Sequence, residues 1–178
     1  MKEVRILDRD FELFIDADTI QASIKRIAAD INKDLDGKKP IFIAILNGSF
    51  MFAGDLMKHI DIPCEITFVR ISSYKGTEST KNIEEIIGLN EDIKDRTVVI
   101  LEDIVDTGNT IDKLLNQFES HKPKEIKVAT LLFKPKALVK DVSPDYVALD
   151  IPNDFIVGYG LDYDGYGRNL QDIYKIKE

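Results

Sequence analysis

Apolar residues recur along this chain in two rhythms that take turns. Ile20, Ile24, Ile27, Ile31 and Leu35 keep the spacing of one helix face, and Asp18-Thr19 ahead of them reads as the cap. "DGKKP" ends that helix, and "IFIAIL" (41–46) follows as an unbroken apolar run, the pattern of a strand buried on both faces. After "NGS" a helix carrying Ala53, Leu56, Met57 and Ile60 is expected, then a strand over "CEITFVRI" (64–71). "SSYKGTESTKN" is long and polar and predicts a mobile loop. Strands over "IEEIIGL" and "RTVVILED", a helix marked by Ile111, Leu114, Leu115 and Phe118, and a strand over "EIKVATLLFK" (125–134) continue the series. Strands alternating with helices imply right-handed βαβ crossovers, so the expected class is α/β with a mostly parallel central sheet flanked by helices.

From about Lys134 the pattern changes to short strands and turns, with Gly158, Gly160, Gly165 and Gly167 close together. One domain is expected, a core over about 15–134 with a small C-terminal hood over about 135–178 against the sheet's edge. The 178 residues suit that size. The net charge of −8 argues against a general nucleic-acid or membrane-surface binder. No apolar run approaches the ~18 residues that span a bilayer, and "MKEVRILDRD" lacks the features of a signal peptide. Lone Cys64 forms no intrachain disulfide, which fits a reducing cytoplasm. His59 and His121 have no partner cluster and read as surface residues.

One stretch departs from ordinary packing logic. In "VVILEDIVDTGNT" (98–110) a buried strand runs straight into Glu102 and Asp103, and a small polar loop, Asp106-Thr107-Gly108-Asn109-Thr110, then turns into a helix. Amides at such a turn are unpaired and the helix dipole adds positive potential, so a phosphate fits there without a lysine. Gly108 permits close backbone approach, and Thr107 and Thr110 can donate hydroxyls. A lone DTG would only cap a helix; the acidic pair at this spacing favours a site. No G-x-x-x-x-G-K-[ST] occurs, "GYGLDYDG" is not a dinucleotide fingerprint, and "NKDLDG" lacks the acidic twelfth position of a calcium loop.

An acidic pair, two apolar residues and D-T-G-x-T resembles the signature of type I phosphoribosyltransferases, which bind phosphoribosyl pyrophosphate (PRPP). "LNGSFMFAGDL" (46–56) is similar to the family's pyrophosphate loop and "SSYKG" (72–76) to its mobile lid. "LLFKP" (131–135) and "DFIVGYGLDYDGYGRNL" (154–170) resemble the base-binding tail of the 6-oxopurine branch, which handles hypoxanthine and guanine. The resemblance implies transfer of phosphoribosyl from PRPP to N9 of hypoxanthine, and also guanine, in purine salvage, with magnesium as cofactor. A xanthine-preferring enzyme, or a non-catalytic PRPP-sensing regulator, is the alternative.

By the same resemblance, Glu102 and Asp103 would bind the two ribose hydroxyls, directly or through magnesium, and residues 106–110 would cradle the 5′-phosphate. Asp106 would be the catalytic base or hydrogen-bond partner near the purine N7. Asn47, Gly48, Ser49 and Arg168 would bind pyrophosphate, and Ser73 and Tyr74 would lie on the lid. Lys134 would donate to the purine O6, Phe155 would stack on the base, and Ile156 would offer backbone groups to its edge. Asp162 would hold a second magnesium beside the base and pyrophosphate. Asn47 departs from the family, whose members generally carry Lys or Arg there, often after a cis peptide. The lost charge leaves more to the backbone amides, to magnesium and to Arg168. A homo-oligomer, dimer or tetramer, is also implied.

Overall fold

Asp16 sets the start of the first helix. Its backbone is extended and its carboxylate accepts from the Thr19 amide, so α1 runs Ala17–Asp34. The cap is therefore not Asp18-Thr19: Asp18 lies inside the first turn, where its charge suits the helix's positive end. This is a computed structural model, and it describes residues 2–74 and 83–177, the side chains at 72–74 and 83–87 excepted.

The remaining elements, in chain order around α1, are β1 (Glu3–Ile6), β2 (Arg9–Ile15), β3 (Ile41–Leu46), α2 (Phe50–Met57), β4 (Glu65–Tyr74), β5 (Ile83–Ile87), β6 (Thr97–Val105), α3 (Asn109–Glu119), β7 (Glu125–Phe133), β8 (Tyr146–Asp150), β9 (Ile156–Val157) and β10 (Ile173–Ile176). A six-stranded sheet has the order β5-β4-β3-β6-β7-β8, every neighbouring pair parallel except β4 with β5. β1, β2, β10 and β9 form a second, antiparallel sheet.

Covering helices explain the unbroken apolar run of β3. Phe42 and Ala44 join Ile20, Ile24, Ile27, Phe52 and Leu56 in a core under α1 and α2. Ile41, Ile43 and Ile45 face the other way, into a core with Ile111, Leu114 and Phe118 of α3. β6 divides its residues likewise, Val99 and Leu101 to one core and Val98 and Ile100 to the other. Ile60 lies beyond the end of α2 but still packs on the first core.

Three expectations need adjustment. β4 continues to Tyr74 because β5 returns antiparallel beside it, with Ser73 opposite Glu84 and Tyr74 opposite Ile83. β8, inside the stretch assigned to the hood, pairs parallel with β7 and extends the main sheet. The small sheet also recruits the N-terminus, where Ile6 and Phe11 pack with Val157 and Tyr174. Asp172 fastens that junction, accepting from Lys2 Nζ and the Ala17 amide at 2.8 Å each.

The strand order creates the crevice. From β3 the chain passes to β4 on one side, and it later returns to β6 on the other side of β3. Loops leaving the carboxyl ends of β3 and β6 therefore diverge, and ligands of open α/β sheets bind at such a point. Ile24 is fully buried in the core that supports both strands. Ile24→Ala should cost about 2–5 kcal/mol, read as a lower urea midpoint with an unchanged slope.

Candidate active site

Residues 47–49 leave β3 and turn at once into α2. The Leu46–Asn47 peptide is cis, and buried Ser49 donates through Oγ to the Ile45 carbonyl at 2.6 Å. Gly48 is the close approach: a Cβ there would overlap the Asp103 carboxylate at the end of neighbouring β6. The loop from one strand and the acidic pair from the next thus meet with no side chain between them.

At the end of β6 the two carboxyl groups stand close enough to act on each other both as charges and as hydrogen-bond partners. Asp103 faces Gly48, with one oxygen accepting from the Ile104 amide at 2.9 Å. Glu102 is buried, and its Oε2 has no hydrogen-bond partner among the described residues. Burial pushes the Glu102 carboxyl well above its ordinary range, and the Asp103 charge adds to that push. Asp103 is also raised by burial, against the opposing pull of its bonds to Glu102 and the Ile104 amide and of the Arg168 charge.

The loop after β6 lines a cavity of about 230 Å³ with Glu102, Asp103, Asp106, Thr107, Gly108 and Thr110. Gly108 caps α3 with φ +81°, a conformation that side chains disfavour. Its missing side chain also matters for packing, because a Cβ would come within 2.6 Å of Val142 Cγ2. The 138–142 segment braces the loop from behind: the Thr107 carbonyl accepts from the Val139 amide at 3.0 Å and the Lys140 amide at 3.2 Å. Asn109 and Thr110 are exposed at the first turn of α3, where amides lack intrahelical partners, and the Asn109 amide makes only a long bond to Thr107 Oγ1 at 3.4 Å.

Lys134 is not the snorkelling surface lysine that its place at a strand end permits. It is 7% exposed, its amide donates to the Val105 carbonyl, and its ammonium pairs with Asp106 Oδ2 at 3.2 Å. Asn153 Oδ1 lies 3.4 Å from the same ammonium. Asn153 carried no sequence signal, since one amide between proline and aspartate looks like any turn residue. Phe155 is 48% exposed and stands edge-on to Tyr163, with ring centroids 6.0 Å apart. Ile156 is buried in β9.

Arg168 and Asp162 meet at 2.6 Å. Asp162 also accepts from the Gly165 amide at 2.6 Å, so its carboxylate serves the turn instead of joining the acidic pair. Arg168 Nη1 donates to the Gly160 carbonyl at 2.7 Å. Ser73 and Tyr74 close β4; the rest of the expected lid, residues 75–82, lies outside the described residues.

Can these residues hold a divalent cation? Among the described residues no three acidic, histidine or cysteine side chains converge into a cage. Magnesium rarely uses such a cage, taking one or two carboxylates and filling its octahedron with water and substrate oxygens. Two adjacent carboxylates, one with an orphaned buried oxygen, fit that need. Without a cation the pair is a liability. Glu102 has its folded pKa raised, so it favours folding at low pH and loses that contribution as pH rises towards the folded value. In chelator, Glu102→Gln should therefore raise the thermal midpoint near pH ~7.5, and raise it less near pH ~4.5, around the unfolded carboxyl value.

Comparisons with known proteins agree with this geometry. Residues 16–164 match the phosphoribosyl transferase domain family. The chain is 40% identical over 175 residues to the hypoxanthine-guanine phosphoribosyltransferase of Streptococcus pneumoniae, covering 97% of each. A hypoxanthine phosphoribosyltransferase from Staphylococcus aureus superposes with TM-score 0.86 at 38% identity, covering 93% of this chain and 91% of that one. A hypoxanthine-guanine phosphoribosyltransferase from Bacillus anthracis, crystallised with HEPES in its active site, gives TM-score 0.86 at 36% identity over 93% and 98% of the two chains. The switch-point crevice, its acidic pair and its polar 106–110 loop are thus set in a chain that belongs to the phosphoribosyl transferase family.

Proposed function

We propose that this protein transfers the phosphoribosyl group of PRPP to N9 of hypoxanthine, and of guanine, releasing pyrophosphate, as a purine-salvage enzyme. The observation that carries the reading is the pairing of opposites at the switch point: an acidic pair, with a buried Glu102 oxygen that lacks a partner among the described residues, lining one cavity with the polar loop that leads into α3. PRPP needs both, because its ribose hydroxyls donate and its phosphates accept.

In this reading the 5′-phosphate sits on the amides of residues 106–110 and the hydroxyls face Glu102 and Asp103. Magnesium held there and at Asp162 would neutralise the polyanion. The pyrophosphate lies along Asn47, Gly48 and Ser49, within reach of Arg168, which then exchanges its Asp162 partner for the ligand. As the bond to pyrophosphate breaks, positive charge builds on the sugar, and the fixed carboxylates favour that charge. N9 of the base forms the new bond, and Asp106 takes the proton that the base gives up.

Base selection follows from the Lys134–Asp106 pair. An entering base must separate the two and satisfy both. A 6-oxopurine offers O6 to the ammonium and a ring N–H to the carboxylate. Adenine would set its 6-amino donor against a donor. Phe155, half-exposed beside Tyr163, offers a ring that can stack on the base, with Ile156 lending backbone at the base edge. Ser73 and Tyr74 would join the lid that excludes water.

A single-domain cytoplasmic enzyme suits the free thiol of Cys64, and no helix among the described residues is long and apolar enough to cross a membrane. Exposed Ile66 and Phe68 on β4 and Phe50 at the start of α2 support self-association.

The test is nucleotide formation from PRPP with hypoxanthine, guanine, xanthine, adenine or uracil, with and without magnesium. Magnesium-dependent product from hypoxanthine or guanine supports the proposal; PRPP binding without product from any base would favour a sensor. Asp106→Asn should lower kcat by more than about tenfold, a barrier change above roughly 1.4 kcal/mol, with little loss of PRPP binding. A smaller effect would remove Asp106 from the proton transfer.

A further inference from the structure

Behind the site lies a polar knot that the chemistry does not use. Tyr159 is 2% exposed, and its hydroxyl donates to Asp55 Oδ2 at 2.5 Å. Gln21 Nε2 donates to the same oxygen at 2.6 Å, and Lys58 Nζ donates to Asp55 Oδ1 at 2.7 Å. One carboxylate on α2 thereby gathers α1, α2 and the C-terminal segment. Burial and the Asp55 carboxylate push the Tyr159 phenol up, so it stays a donor throughout the physiological range.

A knot of this kind could be an ordinary cross-brace. What sets it apart is the neighbour of Tyr159. Gly160 has φ +99°, and the space its Cβ would need is filled by the Gly48 carbonyl. The space a Cβ would need at Gly48 is filled in turn by the Asp103 carboxylate. Nothing between Tyr159 and Asp103 is a side chain able to absorb a shift by changing rotamer. Asp55, meanwhile, is carried by the helix that begins where the 47–49 loop ends. The contacts close a ring: loop 47–49, α2, Asp55, Tyr159, Gly160 and back to Gly48. Arg168 hangs on the same ring, donating through Nη1 to the Gly160 carbonyl while its own carbonyl accepts from the Gly160 amide at 2.9 Å.

Given the function proposed above, we propose that the Asp55–Tyr159 hydrogen bond is a positioning element for the pyrophosphate side of the site, holding residue 160 against Gly48 and thereby fixing Asp103 and Arg168 relative to the loop. Base recognition hangs on other supports: Lys134 at the end of β7, and Phe155 packed with Phe11 and Tyr163. Loosening the ring therefore acts on one substrate and spares the other.

Tyr159→Phe removes only the hydroxyl. KM for PRPP should rise about tenfold while KM for hypoxanthine stays within about twofold. Asp55→Asn keeps an acceptor for the phenol and should retain KM for PRPP near the starting value; Asp55→Leu should reproduce the Tyr159→Phe split. Ile24→Val, which loosens the core that Tyr159 shares without touching any hydrogen bond of the ring, should lower the thermal midpoint with no split. A parallel rise of both KM values, or no change in either while the parent enzyme is active, overturns the assignment. Amide hydrogen exchange on the free proteins reads the same ring without turnover. Tyr159→Phe should speed exchange at 47–50 and 160–168 and leave 106–110 unchanged; unchanged exchange at 47–50 also overturns it. A parent protein that makes no nucleotide from any base removes the proposed function, and the exchange result then decides the positioning role by itself.

Discussion

Everything in this structure turns on a contact between Asp103 and a residue with no side chain. Gly48 lets the carboxyl end of β6 sit directly against the loop leaving β3. Any side chain there would push the acidic pair out of the crevice. Because the contact is possible, two opposite electrostatic environments form within a few residues: an acidic pair with a buried Glu102 oxygen that lacks a partner among the described residues, and the positive N-terminal end of α3. Neither is a comfortable thing to build into a fold. Together they fit one ligand that carries hydroxyls and phosphates side by side.

The surrounding fold makes that frustration tolerable. Both faces of β3 and β6 are sealed by apolar cores, which hold the strands under the buried acid. The 138–142 segment holds the 106–110 loop from behind, and the segment after β8 returns to pack Gly160 on Gly48. Lys134 and Asp106 pair with each other, which keeps a buried ammonium from standing alone. The site is thus held together by polar groups that are either paired for the moment or deliberately short of a partner.

Much of this was legible in the chain. The double-faced burial of β3 and β6 showed as unbroken apolar runs, and the helices showed as periodic ones, because both are local patterns. "EDIVDTGNT" and the tail "DFIVGYGLDYDGYGRNL" carried the site because their chemistry is unusual enough to stand out. What stayed hidden depends on partners distant in sequence. Val4, Ile6, Phe11 and Leu13 alternate as strands do, yet only their meeting with Val157 and Tyr174 shows that both chain ends build one sheet. β8 looked like part of an irregular tail because a short edge strand has a weak pattern. Asn153 beside Lys134, and Gly160 upon Gly48, are contacts that no spacing rule announces. The cap at Asp16 was missed by two residues because Asp16 and Asp18 offer the same chemistry, and only backbone geometry separates them.

If the acidic pair is kept for its ligand at the expense of the folded state, ligand affinity should report it directly. The measurement is calorimetric titration of PRPP with magnesium into the parent protein and into Glu102→Gln. The account predicts binding weakened at least about tenfold in the variant, roughly 1.4 kcal/mol. Equal affinity in the two proteins would mean that the buried carboxylate at the end of β6 does not serve the ligand, and the central claim would fall.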